Sequence, residues 1–294
     1  MKRRTFFKTL ITAMPVTLGT MKLNALNKIV GSFGNTPKMP VLFLGHGSPM
    51  NAIEENEFVQ GFRKVSSEIE IPKAILVVSA HWETKGTLVT AMEHPRTIHD
   101  FGGFPKELYD IQYPAPGMPE LANEVKGFAT TAEVALDDKW GLDHGAWTVI
   151  RHMYPKANIP VVQLSLDYYK TPQQHYELAK ELSELRNRGV LIVGSGNLVH
   201  NLGMLHWQKL NENYGYDWAI EANDKMKQFI LEGNHQALLN YSKQGESFKL
   251  AIPTPEHYLP LLYAVALQDR DDAVSVFNDE PVAGALTMTS VKIG

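Results

Sequence analysis

"VLFLGHGSPM", residues 41–50, runs four apolar residues straight into a histidine between two glycines. The apolar run reads as a buried strand, and Gly45–Gly47 as the turn at its carboxyl end. Working outward, runs of the same kind recur at Ala74–Ser79, Pro160–Leu166 and Val190–Val193. Helical periodicity fills the intervals, over Glu54–Ile69, Pro119–Thr131, Pro172–Arg188 and about Asp217 to Tyr241. The clearest of these has Thr171 as N-cap, Pro172 at the first helical position and Gly189 just past the end. Strands alternating with helices predict an α/β fold: a single domain whose mainly parallel or mixed central sheet is flanked by helices on both faces. "LVTAMEH" (88–94) and "GALTMTSVKI" (284–293) are candidates for further strands at an edge.

The chain of 294 residues is long enough for a substantial core, and its 44% hydrophobic and 20% charged residues suit a soluble globular enzyme. A net charge of -4 offers no basic face for nucleic acid. There is no cysteine, which excludes disulfides, thiolate metal sites and cysteine nucleophiles. Any transition metal must therefore be held by imidazole and carboxylate, and 11 histidines keep that option open.

Residues 1–30 stand apart. "MKRRTFFK" resembles a twin-arginine export signal, and Pro15, Gly19 and Lys22 interrupt the apolar stretch that follows. The expectation is export to the periplasm without stable membrane insertion. "GSFGNTPKM" (31–39) reads as a linker, and 40–294 as the catalytic domain.

In open α/β sheets, ligands bind beyond the carboxyl ends of the strands. Three of the runs deliver a histidine shortly after they end: His46, His81 and His200. His257 lies in "TPEHYLPLL", where a helix begins after Thr254–Pro255 or at Pro260, and His144 in the glycine-flanked "GLDHGAW". A lone histidine is usually a surface or hydrogen-bonded core residue, but several at one sheet edge suggest a site. His46, His81 and His257 are the candidate metal ligands. His200 belongs to the same site, and His144 is an acid–base or substrate-contacting group. His94, His152, His175, His206 and His235 fit ordinary structural roles. His99, in "TIHDFGGFP", is placed equally well by a substrate lid and by a structural loop. "GSGNL" (194–198) lacks the spacing of a dinucleotide fingerprint and no Walker lysine follows it. Ser48 and Ser195 lie outside any G-x-S-x-G elbow, which argues against serine hydrolysis.

"FLGHGSPM", "ILVVSAHWET", "IHDFGGFP", "YPAPG", "GLDHGAW", "GSGNLVHNL" and "TPEHYLPLL", in that order, resemble the class III extradiol ring-cleavage dioxygenases. Within them the 4,5-DOPA dioxygenase extradiol group is most similar. The resemblance implies one divalent metal, Fe(II) for activity or Zn(II) as found bound. It implies His46, His81 and His257 as ligands, His200 as a base or fourth ligand, and His144 as a second acid–base group. Glu256, beside His257, is expected to point away from the metal. His99, Phe101, Trp147 and Tyr258 are expected to shape the pocket. The implied reaction opens a catechol such as DOPA with O2 to a semialdehyde acid. A zinc-dependent hydrolase and a non-catalytic binding protein on the same scaffold are the competing readings.

Overall fold

A computed structural model describes residues 37–210 and 212–294. The export signal expected over 1–30 lies outside the described residues, as does most of the 31–39 linker. Lys38 and Met39, at the end of that linker, belong to the folded unit. Met39 is buried, and Lys38 pairs with Asp269 and Asp272.

The strands in chain order are β1 (Val41–Gly45), β2 (Ala74–Thr84), β3 (Thr87–Thr90), β4 (Val134–Asp137), β5 (Val161–Asp167), β6 (Val190–Gly196), β7 (Val274–Phe277), β8 (Pro281–Val282), β9 (Leu286–Thr287) and β10 (Ser290–Ile293). Eight of them form one sheet in the order β4-β3-β5-β2-β6-β1-β10-β7, while β8 and β9 pair separately. The centre, β5-β2-β6-β1, is parallel. β3 runs antiparallel to β5, and β10 antiparallel to both β1 and β7. The sheet is therefore mixed. Its parallel centre is built from the four apolar runs, and β1, β5 and β6 are buried along their whole length, as strands covered on both faces must be.

The longer helices are α1 (Glu57–Ser67), α2 (Pro119–Phe128), α3 (His144–Met153), α4 (Pro172–Glu181), α5 (Asp217–Leu231) and α6 (Leu259–Ala266). Leu42, Leu44, Ile75, Val77, Leu191 and Val193 project from one face of the sheet into a core shared with α1 and α3. The alternate residues face the other way, where α6 packs on β1, β2 and β6 and carries α4.

Thr171 caps α4 with a reciprocal capping box to Gln174. Three expectations are corrected. The helix expected to reach Arg188 stops at Glu181, and a separate turn covers Glu184–Asn187. The helix expected over 217–241 ends at Leu231, because Gly233 turns left-handed (φ 65°) and Asn234 caps a new helix at His235. β2 runs past Ser79 to Thr84, with a register shift against β5 between Val78 and Glu83. His81 thus sits on the irregular part of the strand and not after it.

Arg186 ties the ends of the fold together. It is buried, and its guanidinium donates to Met39 O (2.8 Å), Leu267 O (2.6 Å) and Asp272 Oδ2 (2.6 Å). It thereby joins the segment entering β1, the end of α6 and the turn before β7. Arg186→Met leaves the Met39 and Leu267 carbonyls without this donor and Asp272 with Lys38 alone, so it should lower the unfolding free energy by about 2–4 kcal/mol. Urea denaturation measures this. Arg63→Ala, which breaks an exposed pair with Glu55, should move the midpoint little. Equal shifts in the two variants would contradict the role given to Arg186.

Candidate metal centre

Because β2, β6 and β1 are neighbours, the residues at and beyond their carboxyl ends emerge side by side. His46 follows β1, His81 lies on β2, and the loop carrying His257 closes over the end of β6. That closure needs Gly196: a Cβ there would stand 2.0 Å from His257 O. Asn197 N then donates to the same carbonyl at 2.9 Å. The ring centroids of His46, His81 and His257 are 5.0–5.3 Å apart, and one ring nitrogen of each lies within 4.8 Å of the others.

The neighbours of these rings fix their tautomers. Ser195 Oγ gives its only proton to Gly145 O, so it accepts from His46 Nδ1 at 3.0 Å. Asp100 Oδ2 stands 3.4 Å from His81 Nδ1, and Glu256 Oε1 stands 3.3 Å from His257 Nδ1. His46 Nδ1 thus carries the hydrogen, which leaves its Nε2 as a bare lone pair, and the Nδ1 atoms of His81 and His257 each face a carboxylate oxygen. His46 Nε2 and His81 Nε2 are 3.1 Å apart, close enough to share one hydrogen or to bind one cation together. The donor set, three neutral imidazoles with acceptors behind them, therefore fits a divalent transition metal.

A proton is a poor substitute for that metal. Burial lowers His46 and His81 well below the ordinary histidine range, and the neighbouring imidazoles lower them further. Burial also lowers His257, although Glu256 works against it. Burial opposes ionisation of Glu256 too, but its hydrogen bonds with His257 and Thr254 bring it down to about 2.

Two more imidazoles flank the triad. His200 lies flat on His257, with centroids 3.4 Å apart and planes within 6°. Its ring nitrogen groups with Glu256 and His257 and not with the triad of His46, His81 and His257. Burial first, and His257 second, push His200 down to about 3. His144 packs 3.8 Å from His81 and 5.7 Å from His46. It was expected in a loop but is the first residue of α3, which Asp143 caps by accepting from Ala146 N. Asp100 Oδ2 is 3.0 Å from His144 Nδ1, and Asp100 Oδ1 accepts from His144 N at 2.9 Å. Burial disfavours the Asp100 carboxylate, but these contacts with His144 lower it on balance.

The expected pocket residues divide. Phe101 is half-buried with its ring 5.6 Å from His144, beside the site. His99 is part-buried, and its Nε2 hydrogen-bonds Ile111 O at 3.0 Å, which holds the loop in place. Trp147 and Tyr258 do not line a pocket. Trp147 is fully buried and Tyr258 nearly so, and their polar atoms donate to Ile98 O and Leu238 O. They support the walls from behind. Asp100, between His99 and Phe101, has no signature of its own in the sequence. Ser195 serves as an acceptor and not as a nucleophile, and Glu256 faces His257. His152, His175 and His235 are held by Asn51 O, Tyr263 and the Tyr176–Gln268 pair respectively.

A family model described as the catalytic LigB subunit of aromatic ring-opening dioxygenase matches residues 39–288. The 4,5-DOPA dioxygenase extradiol of Escherichia coli (strain K12) is 46% identical over 264 residues, covering 88% of this chain and 96% of the relative. That of Beta vulgaris is 36% identical over 258 residues, covering 85% and 94%. The crystal structure of an uncharacterized protein from Escherichia coli K12 superposes with a TM-score of 0.75 at 41% identity, covering 87% of this chain and all of that one.

His46→Ala, His81→Ala and His257→Ala should each lose bound metal by elemental analysis, while His235→Ala keeps it. Full retention in all three would refute the centre. In the metal-stripped protein, an unfolded histidine titrates near 6.5 and the folded cluster below that, His200 at about 3. Between those values the unfolded chain binds more protons, so stability is lost as pH falls through that window. Denaturation midpoints should therefore drop from about pH 7.5 to about pH 5, and drop less in His200→Asn.

Proposed function

The chain belongs to the LigB family of aromatic ring-opening dioxygenases, and from that premise we propose that it opens a catechol such as DOPA with O2. The ring breaks beside one hydroxyl, both oxygen atoms enter the product, and a semialdehyde acid results. The observation that carries this reading is the convergence of one ring nitrogen from each of His46, His81 and His257 with two further imidazoles at one sheet edge. The names of the relatives from Escherichia coli and Beta vulgaris support DOPA as the catechol.

His46, His81 and His257 would hold the cation. When bound, Fe(II) supplies a Lewis-acidic centre with open positions for the diol and dioxygen, whereas Zn(II) supplies only the Lewis acid.

The remaining steps belong to side chains. Stacked against His257, His200 is placed to take a hydroxyl proton from the diol. Burial keeps it neutral, which is the form a base needs. An anionic diol oxygen alongside would raise its affinity for the proton it has taken. His144, on the other side of His81, is placed to take the diol's second hydroxyl proton on its bare Nε2 and hand it to the oxygen that leaves as the ring opens. Phe101 offers an apolar surface beside His144 for a flat ring.

Anaerobic loading with Fe(II), then DOPA, then air, should give a yellow semialdehyde chromophore with one O2 taken up per DOPA. The Zn(II) form should stay colourless. His200→Ala and His144→Ala should each lower kcat by about 10²–10⁴-fold. His235→Ala should leave it unchanged. Ester cleavage by the Zn(II) form, with no oxygen uptake by the Fe(II) form, would move the protein to the hydrolases.

A further inference from the structure

We propose that Asp100 is a positioning residue whose single oxygen, Oδ2, sets the tautomers of the candidate ligand His81 and of His144 together. Its two carboxylate oxygens have separate tasks. Oδ1 accepts from the backbone N–H of His144 at 2.9 Å, at the first turn of the ten-residue helix α3. Oδ2 lies within ion-pair distance of both imidazoles, 3.0 Å from His144 Nδ1 and 3.4 Å from His81 Nδ1. His144 Nδ1 is buried with no aligned hydrogen bond to any other group, so this carboxylate is the acceptor within its reach. The two rings lie 3.8 Å apart, so one oxygen reaches both.

A carboxylate only accepts, so each Nδ1 that faces it carries the hydrogen. That leaves Nε2 bare on both rings, one for a cation and one for exchange of a proton with the substrate. Outer partners of this kind fix the orientation and raise the basicity of a metal-binding imidazole.

Helix capping does not account for the arrangement. Asp143 already caps α3, and Asp100 Oδ1 alone would satisfy His144 N. Only the two rings require Oδ2. The backbone on either side of Asp100 is also held. Ile98 N donates to Leu142 O at 2.7 Å, Trp147 Nε1 donates to Ile98 O at 2.8 Å, and His99 Nε2 bonds Ile111 O. The carboxylate is therefore delivered to the rings by a fixed loop.

Asp100→Asn separates the two tasks. The amide oxygen can keep the bond from His144 N, and the NH2 group then replaces Oδ2 with a donor. Zn(II) affinity, measured by competition with a chelator, should fall about 10–100-fold. In Zn(II)-loaded protein with ¹⁵N-labelled histidine, His144 should change from the Nδ1–H to the Nε2–H tautomer. A merely structural role would move neither readout. A folded variant in which either one is unchanged overturns the proposal. The wild-type spectrum decides even if the variant does not fold, because an Nε2–H tautomer at His144 in the native protein is incompatible with the proposal. Neither readout needs turnover, so failure here is distinct from failure of the ring-opening reading.

Discussion

Two imidazole nitrogens 3.1 Å apart, with the lone pair of His46 facing its neighbour, are the constraint on which the site depends. Such a pair can share one hydrogen or hold a cation together, and burial discourages an additional proton on either ring. The surroundings follow from this. Ser195, Asp100 and Glu256 each stand behind one ring and accept its remaining hydrogen. They come from three separate parts of the chain.

The scaffold's contribution is adjacency. β2, β6 and β1 are consecutive in the sheet though far apart in sequence, so their ends meet without long loops. α3 then brings its N-terminus against the same edge. Gly145 makes that approach possible, since a Cβ there would stand 2.6 Å from Ser79 Oγ and 2.9 Å from His81 Cδ2. Behind it, the buried Asp143 takes hydrogen bonds from Ser79 Oγ (2.7 Å) and Gln163 Nε2 (2.7 Å), locking the helix to β2 and β5. Burial, and then the nearby Asp100 charge, raise Asp143 above the ordinary carboxylate range, so Asp100 is the better placed of the two to carry negative charge.

The parallel centre of the sheet was legible because its strands are buried on both faces and read as unbroken apolar runs. So were the histidines at its edge. The short outer strand Val134–Asp137 is mostly exposed and left no comparable run. His144 was misread as a loop residue because glycines flank it, whereas Asp143 was already a capping residue by type. The acceptors behind the rings were harder to see. A serine in a strand, or an aspartate between two aromatic-ring residues, has no signature until the fold brings it within reach of an imidazole. Trp147 and Tyr258 were misread for the opposite reason: aromatic side chains near a site are as readily its foundation as its lining.

Three uncharged donors leave the whole double charge of a divalent ion on the ion, and the compensating charges, Asp100 and Glu256, sit one layer further out. With a divalent ion bound, these two carboxylates bring the cradle close to electroneutrality. Imidazole cradles of this sort bind Zn(II) more tightly than Fe(II) by the general ordering of first-row metals. Left to affinity, such a cradle fills with Zn(II), so loading with Fe(II) requires surroundings that supply iron in excess of zinc as the chain folds.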